Sequence, residues 1–426
     1  MVLRSGSRGS LVAMLQLGLK RAGYETGKLD GIFGIQTQNA VRAFQRDNSL
    51  AQDGIAGEKT FEALAPWLRG YLTHTITQGD TLYKLAKRYG TTVEAIDTAN
   101  PGLDAMNLQI GAKIKVPFGF DAVPTDISWS FPLTSIVTEG ITARYPFISR
   151  ASLGSSVTGR PIYCLKIGKG AVKVFFNASI HANEWINTPV LLKFLEQYAK
   201  AYSSLGKIGA VPASLLFERT TLYVAPMLNP DGVDLVTGAL NSGQYYSAAR
   251  RIADNYPKVP FPSGWKANIR GTDLNLQFPA GWEKAKEIKY SNGFSSPAPR
   301  DFVGKTPLSE PESRAVYEFT QNISPALIMT YHSQGEIIYW KYLDFDPPRA
   351  KDIGERLSRE SGYTLEITPT ASGYAGYKDW FIQDFDRPGY TVETGKGASP
   401  LPLSQFDKIY SDNLGMLVTA LTEASY

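Results

Sequence analysis

The chain has a single cysteine, Cys164. One thiol cannot supply an intramolecular disulfide framework, a Cys-x-x-Cys zinc site or an iron–sulfur ligand set, so all three are excluded. Cys164 lies in the apolar run Pro161 to Ile167 and reads as an inert core residue. Histidine is almost as scarce: His74, His181 and His332 are the whole supply, and any step that needs imidazole must use them. No apolar run reaches the ~18 residues of a membrane helix. Met1 to Lys20 has no charged segment followed by an apolar core, since Leu11-Val12-Ala13-Met14-Leu15 is broken by Gln16; no secretory signal is read there. The net charge of +4 is spread without a Lys/Arg block, which fits an anionic polymer as partner but offers no nucleic-acid patch. With 43% hydrophobic residues the chain is not disordered, and its 426 residues, at roughly 150 per domain, suggest two to four domains.

Residues 1–70 contain a repeat. Asp30-Gly31-Ile32-Phe33-Gly34 recurs as Asp53-Gly54-Ile55-Ala56-Gly57. Each copy is a turn, followed by apolar residues at helical spacing: Ala40, Val41 and Phe44, then Phe61 and Leu64. With an earlier helix from about Ser10 to Ala22, this predicts a compact three-helix module. The residues Gly9 with Leu15, Gly23-Tyr24, Asp30 to Gly34, Thr37, Ala40-Val41, Phe44-Gln45 and Asp53-Gly54 resemble the small peptidoglycan-binding domain family.

Residues 72–118 read as strand, helix, helix, strand. His74 to Thr77 alternates, Asp80 is the expected N-cap of a helix carrying Leu82, Leu85 and Ala86, a second helix runs from about Thr92 to Ala99, and Gly111 to Pro117 returns. Gly79-Asp80-Thr81-Leu82, Tyr89-Gly90, Ala99-Asn100-Pro101 and Ile114-Val116-Pro117 resemble the LysM family, which implies binding of N-acetylglucosamine-containing glycans. His74 is expected to be structural. Residues 119–126 read as a linker.

From 127 to 426 longer strands and helices alternate, which predicts one large α/β domain. Four apolar strands end in reactive residues: Val172 to Ile180 before His181-Ala182-Asn183-Glu184, Thr221 to Met227 before Asn229-Pro230-Asp231-Gly232, Leu327 to Tyr331 before His332, and Tyr390 to Val392 before Glu393. In open α/β sheets ligands bind beyond the carboxyl ends of the strands. Two histidines and a glutamate are a catalytic zinc set with one position left for water. There is no His-Glu-x-x-His, so the set is not carried on one helix. Ser309 with Glu312 reads as a helix capping box.

Gly154-Ser155-Ser156, Gly159-Arg160, Ala178 to Trp185, Asn229 to Gly232, Asn268 to Asn275, Tyr331-His332-Ser333, Asp379-Trp380 and Glu393-Thr394-Gly395 together resemble the zinc carboxypeptidase A-type metallopeptidases. The resemblance implies a mixed central sheet flanked by helices, and one Zn2+ held by His181, Glu184 and His332. It also implies Glu393 as general base, Arg270 as the cation that polarises the oxyanion, and Asn275 as a contact to a substrate carboxylate. Either Asp231 or Asp273 could orient a ligating histidine. Two departures stand out. Family exopeptidases carry Arg after that Asn, whereas Asn275 is followed by Leu276, which cannot form a bidentate pair with a carboxylate. The substrate-covering tyrosine has two candidates, Tyr374 and Tyr377, in the segment Ala371 to Tyr377.

Two wall-binding modules ahead of such a peptidase resemble the bacterial γ-D-glutamyl-L-diamino acid endopeptidases. The implied reaction is hydrolysis of the γ-D-Glu–diamino acid bond (meso-diaminopimelate or Lys) in peptidoglycan stem peptides. A carboxypeptidase trimming stem-peptide C-termini and a non-catalytic wall-binding protein are the alternatives. The partner is peptidoglycan, engaged through its glycan strands and stem peptides, with no nucleic acid and no membrane span. The expected location is the cell wall or spore, with the cytoplasm of a sporulating cell as the setting suggested by the lack of a visible signal.

Overall fold

The computed structural model describes residues 2–370 and 373–425. The first module has three helices, Ser10–Arg21, Ile35–Asp47 and Glu58–Arg69. A buried glutamine holds each Asp-Gly turn. Gln16 donates to Asp30 Oδ1, the Ile32 carbonyl and Thr37 Oγ1, and accepts from the Gly31 amide. Gln45 makes the same four bonds to Asp53, Ile55, Thr60 and Gly54. Gly31 and Gly54 have φ of 70° and 72°, a left-handed conformation that glycine adopts without penalty. The sequence repeat is therefore a repeated hydrogen-bonding unit, with glutamine as its third member.

In the second module Tyr71–Thr75 pairs antiparallel with Lys113–Pro117, and helices Leu82–Tyr89 and Val93–Ala99 pack over Ile76, Leu85, Ile96 and Val116. The expected Asp80 cap is not formed. Thr81 caps the helix, its Oγ1 accepting from the Lys84 amide. Asp80 turns back to accept from the Thr77 amide and hydroxyl and to meet His74 Nε2, each at 2.8 Å. His74 Nδ1 meets the Tyr89 hydroxyl, so both ring nitrogens are spent inside this module.

The connection at 119–126 is packed rather than free. The amides of Ala122 and Val123 donate to the buried Glu196 carboxylate at 2.6 and 3.0 Å. Arg21 donates to the Asp121 and Ala122 carbonyls, and Arg144 to the Phe120 carbonyl. The three-helix module shares one continuous apolar cluster with the large domain. The two meet closely at Gly140, where a Cβ would lie 2.0 Å from the Arg69 carbonyl oxygen. Both N-terminal modules are thus mounted on the large domain, the second through helix Val93–Ala99 against helix Phe131–Arg144.

That domain is built on an eight-stranded mixed sheet. In spatial order the strands are Thr364–Glu366, Ile337–Tyr339, Gly389–Glu393, Leu327–His332, Val172–Ala178, Thr220–Ala225, Pro161–Ile167 and Ser149–Ser155. The four from Gly389–Glu393 to Thr220–Ala225 run parallel, and their residues are nearly all buried. Helices flank the sheet, including Phe131–Arg144, Asn187–Ser203, Pro311–Ile323, Tyr377–Phe385 and Phe406–Ala424. Cys164 is buried in this core, and burial pushes its thiol up, away from reactivity. The capping box read at Ser309 is absent. Glu310 occupies the N-cap position, Ser309 Oγ donates to Gln277 Oε1, and the Glu312 carboxylate accepts from the Val157 amide. Among the described residues no helix is long and apolar enough to cross a membrane.

Candidate active site

Parallel strands deliver their carboxyl ends to one edge of the sheet. Ala178 is in register with Tyr331, and His332 with Glu393, so the residues ending three neighbouring strands meet at one place. The chain leaves Ala178 through Ser179-Ile180 to His181, and a short 3-10 turn, Ala182–Glu184, brings Glu184 back beside it.

The polar atoms of three residues converge. His181 Nδ1 lies 3.1 Å from Glu184 Oε1, His332 Nδ1 lies 3.0 Å from Glu184 Oε2, and the two Nδ1 atoms are 3.2 Å apart. Tetrahedral Zn2+ with bonds of about 2.0–2.1 Å spaces its ligand atoms about 3.3 Å apart. Two imidazole nitrogens facing each other at this separation, with a carboxylate closing the triangle, fit that ion. His332 Nε2 is buried with no hydrogen-bond partner, so this ring engages the polar cluster through Nδ1 alone.

The rest of the site supports this triad. His181 Nε2 meets Asp273 Oδ1 at 3.1 Å. Of the two aspartates open from sequence, Asp273 is the one that contacts a histidine of the cluster. Asp231 instead accepts from Thr158 and pairs with Arg160. Asn229 explains its motif: its amide donates to the Ile180 and Ala267 carbonyls, tying the loop before His181 to the segment carrying Lys266. Asn187 donates to the His332 carbonyl and accepts from Thr394, bracing the strands that carry His332 and Glu393.

A cavity of about 200 Å³ opens on this cluster, lined by His181, His332, Glu393, Lys266, Asn275 and Leu276 among others. Burial, and then the Glu184 charge, push Glu393 up to about 8, against the pull of Lys266 and His181. Burial disfavours a charged His181, but Glu184 and Asp273 outweigh it and raise the imidazole to about 9. Burial would likewise raise Glu184, yet His181 and Lys266 hold it well below the usual carboxylate range. These shifts mark a cluster of charges held together away from water.

Three residues expected in the site are not in it. Arg270 is half exposed and reaches Glu310 at 3.6 Å, with a side-chain exposure of 57%. Asn268 Oδ1 accepts from the Arg270 and Thr272 amides, and this turn swings Arg270 away from the cavity. Of the cations lining the cavity, Lys266 is the one beside Glu184, its Nζ 3.1 Å from Glu184 Oε1. Tyr377 is fully buried. Its hydroxyl meets Thr320 Oγ1 at 2.8 Å and its ring packs on Phe175, Phe278 and Trp380, so it is core. Tyr374 packs beside Leu276 and Trp282 and does not line the cavity; Ala371 and Ser372, from the same segment, lie outside the described residues. The tyrosine at the cavity is Tyr339. Asn275 does line it. Its Oδ1 accepts from the Tyr377 amide, which leaves its amino group for the cavity.

A buried His-Glu-His cluster with a neighbouring carboxylate, at the carboxyl edge of a mixed α/β sheet, suits one zinc ion. The chain belongs to the zinc carboxypeptidase family, whose sequence pattern matches residues 136–415, and is a zinc metallopeptidase. Patterns of a peptidoglycan-binding domain and of the LysM domain match residues 8–64 and 74–117. The chain is 43% identical over 277 residues to gamma-D-glutamyl-L-diamino acid endopeptidase 1 of Lysinibacillus sphaericus, covering 65% of this chain and 68% of that protein. It is 28% identical over 290 residues to carboxypeptidase B of Bos taurus, covering 63% and 64% respectively. Among solved structures, bovine thrombin-activatable fibrinolysis inhibitor shares the fold with a TM-score of 0.53 at 21% identity, over 70% of this chain and 98% of that one.

Proposed function

We propose that this protein hydrolyses the γ-D-Glu–diamino acid bond of peptidoglycan stem peptides, with meso-diaminopimelate or Lys on the leaving side. The observation that carries the reading is Leu276. It lines the cavity directly after Asn275, so the position next to Asn275 carries no guanidinium to grip a C-terminal carboxylate. The wall-binding modules and the relative named for this reaction support the same substrate.

His181, Glu184 and His332 would hold the metal. When bound, Zn2+ supplies Lewis acidity and lowers the pKa of the attacking water. Burial and then the Glu184 charge raise Glu393; with a cation bound to offset that charge, Glu393 would accept a proton from the attacking water and deliver it to the leaving nitrogen. Lys266, rather than Arg270, places positive charge beside Glu184 where the carbonyl oxygen becomes an oxyanion. Asp273 keeps His181 oriented, and the Asn275 amino group, free toward the cavity, meets a substrate carboxylate. The first two modules keep the enzyme on an insoluble polymer and raise its local concentration there. Because they are packed against the large domain, they also present it to the wall in a set orientation.

The test is incubation with L-Ala-γ-D-Glu-meso-diaminopimelate, with and without a zinc chelator, read by mass spectrometry. Cleavage that stops on chelation and in Glu393→Gln is expected. Intact peptide with the zinc-loaded protein sinks the reading.

A further inference from the structure

The cavity wall carries more positive charge than the chemistry at the metal uses. Lys266 is committed to Glu184. Lys378 is buried; its Nζ donates to the Lys341 carbonyl and Thr368 Oγ1 at 2.8 and 3.0 Å and its charge is paired with Asp379 Oδ1 at 2.7 Å. The remaining pair differs. Lys289 and Arg300 share the single carboxylate of Asp301, at 2.5 Å from each. Asp301 alone cannot balance both cations, and the other carboxylates acting on Arg300, Asp273 and Glu184, make no hydrogen bond to its guanidinium. Arg300 uses only Nε in that contact, so both terminal amino groups of its fork remain, on a side chain 44% exposed.

Asp301 holds this pair in place by an unusual backbone. Its φ is 67°, a left-handed conformation strained for a residue with a side chain. In that conformation its amide donates to Asp273 Oδ2 at 3.1 Å, and Asp273 Oδ1 meets His181. One strained residue thus couples the orientation of a metal ligand to the orientation of Arg300. An ordinary surface ion pair needs neither the strain nor the connection.

The geometry points to Arg300 as the residue that receives a substrate carboxylate at this cavity, with Lys289 and Asp301 fixing its fork. The inference rests on the reading of the substrate as a stem peptide. A γ-linked glutamyl residue keeps its α-carboxylate free beside the scissile amide, and diaminopimelate brings a second free carboxylate on its side chain. A guanidinium fork with two free amino groups matches a carboxylate bidentately. It also supplies, from a different element, the anion grip that Leu276 cannot.

Binding tests this apart from turnover. The zinc-loaded full chain carrying Glu393→Gln is titrated calorimetrically with L-Ala-γ-D-Glu-meso-diaminopimelate. Three amides of that peptide follow, blocked at the glutamyl α-carboxyl, the diaminopimelate side-chain carboxyl and the terminal carboxyl. One of the first two amides is expected to bind about 10- to 100-fold more weakly, and that gap should close when Arg300→Gln is added and reopen in part with Arg300→Lys. A gap at the terminal carboxyl that closes with Arg300→Gln would keep the role of Arg300 but overturn the endopeptidase reading. Equal binding of all four peptides, or a gap unchanged by Arg300→Gln, overturns the inference. If wild type fails to cleave while the Arg300-dependent gap persists, the proposed reaction falls and the carboxylate site stands.

Discussion

Lys266 and Arg270 are four residues apart, and the structure assigns them opposite fates. Lys266 Nζ is 3.1 Å from Glu184 Oε1 at the cavity, whereas Arg270 reaches Glu310 at 3.6 Å on the surface. Lys266→Met removes the one cation set to face a developing oxyanion. Loss of a preorganised donor of this kind lowers kcat by about 10²- to 10³-fold, or about 3–4 kcal/mol of transition-state stabilisation. Lys266→Arg keeps the charge and should retain most of the rate. Arg270→Ala removes the exposed partner of Glu310, a buried carboxylate that Asn268 and Thr272 still hold, and should leave kcat within about twofold. Steady-state kinetics on the stem tripeptide, with zinc content measured for each variant, decides between them. Zinc should be retained in Lys266→Met, because the metal itself balances the Glu184 charge. A 10²-fold loss in Arg270→Ala, with Lys266→Met near wild type, would refute the assignment.

Three further outcomes follow from the same contacts. Asp273→Asn should weaken zinc affinity about 10- to 100-fold, measured by competition with a chelating dye, because the partner of His181 Nε2 loses its charge. Burial pushes Glu312 from 4.5 up to about 7, so the folded state binds its proton more tightly than the unfolded chain does. The group's contribution to stability is present below about pH 4.5 and is lost as pH rises to 7. Glu312→Gln should therefore change the unfolding free energy more favourably at pH 8 than at pH 4.5, by up to roughly 3 kcal/mol, measured by denaturant unfolding; an equal change at both pH values contradicts this. Gln45→Leu leaves Asp53, the Gly54 amide and the Ile55 carbonyl without their shared partner and should destabilise the first module by about 1–3 kcal/mol, read as earlier thermal unfolding.

The parts of the site carried by strands were legible. His181, His332 and Glu393 each follow an apolar strand, and parallel register brings such ends together regardless of loop detail. Glu184 was legible because it lies three residues from His181 on one short turn. The parts set by loop geometry were not. Nothing in the linear order of Lys266 and Arg270 shows that Asn268 turns the chain between them. Tyr377 resembled a lid because it follows a Gly-rich stretch, but it is the first residue of a helix whose inner face is core. Asp80 and Ser309 looked like caps because capping residues are recognised by spacing, while both side chains had stronger partners across the fold in His74 and Gln277. Arg300 and Asp301 carried no signal beyond an Arg-Asp dipeptide; their meaning depends on Asp273, which is distant in sequence.

The proposed reaction turns on which amide bond is cut. The direct measurement is mass spectrometry of the products from L-Ala-γ-D-Glu-meso-diaminopimelate-D-Ala incubated with the zinc-loaded full chain. The predicted products are L-Ala-D-Glu and meso-diaminopimelate-D-Ala. Release of D-Ala alone, leaving the tripeptide intact, would contradict it.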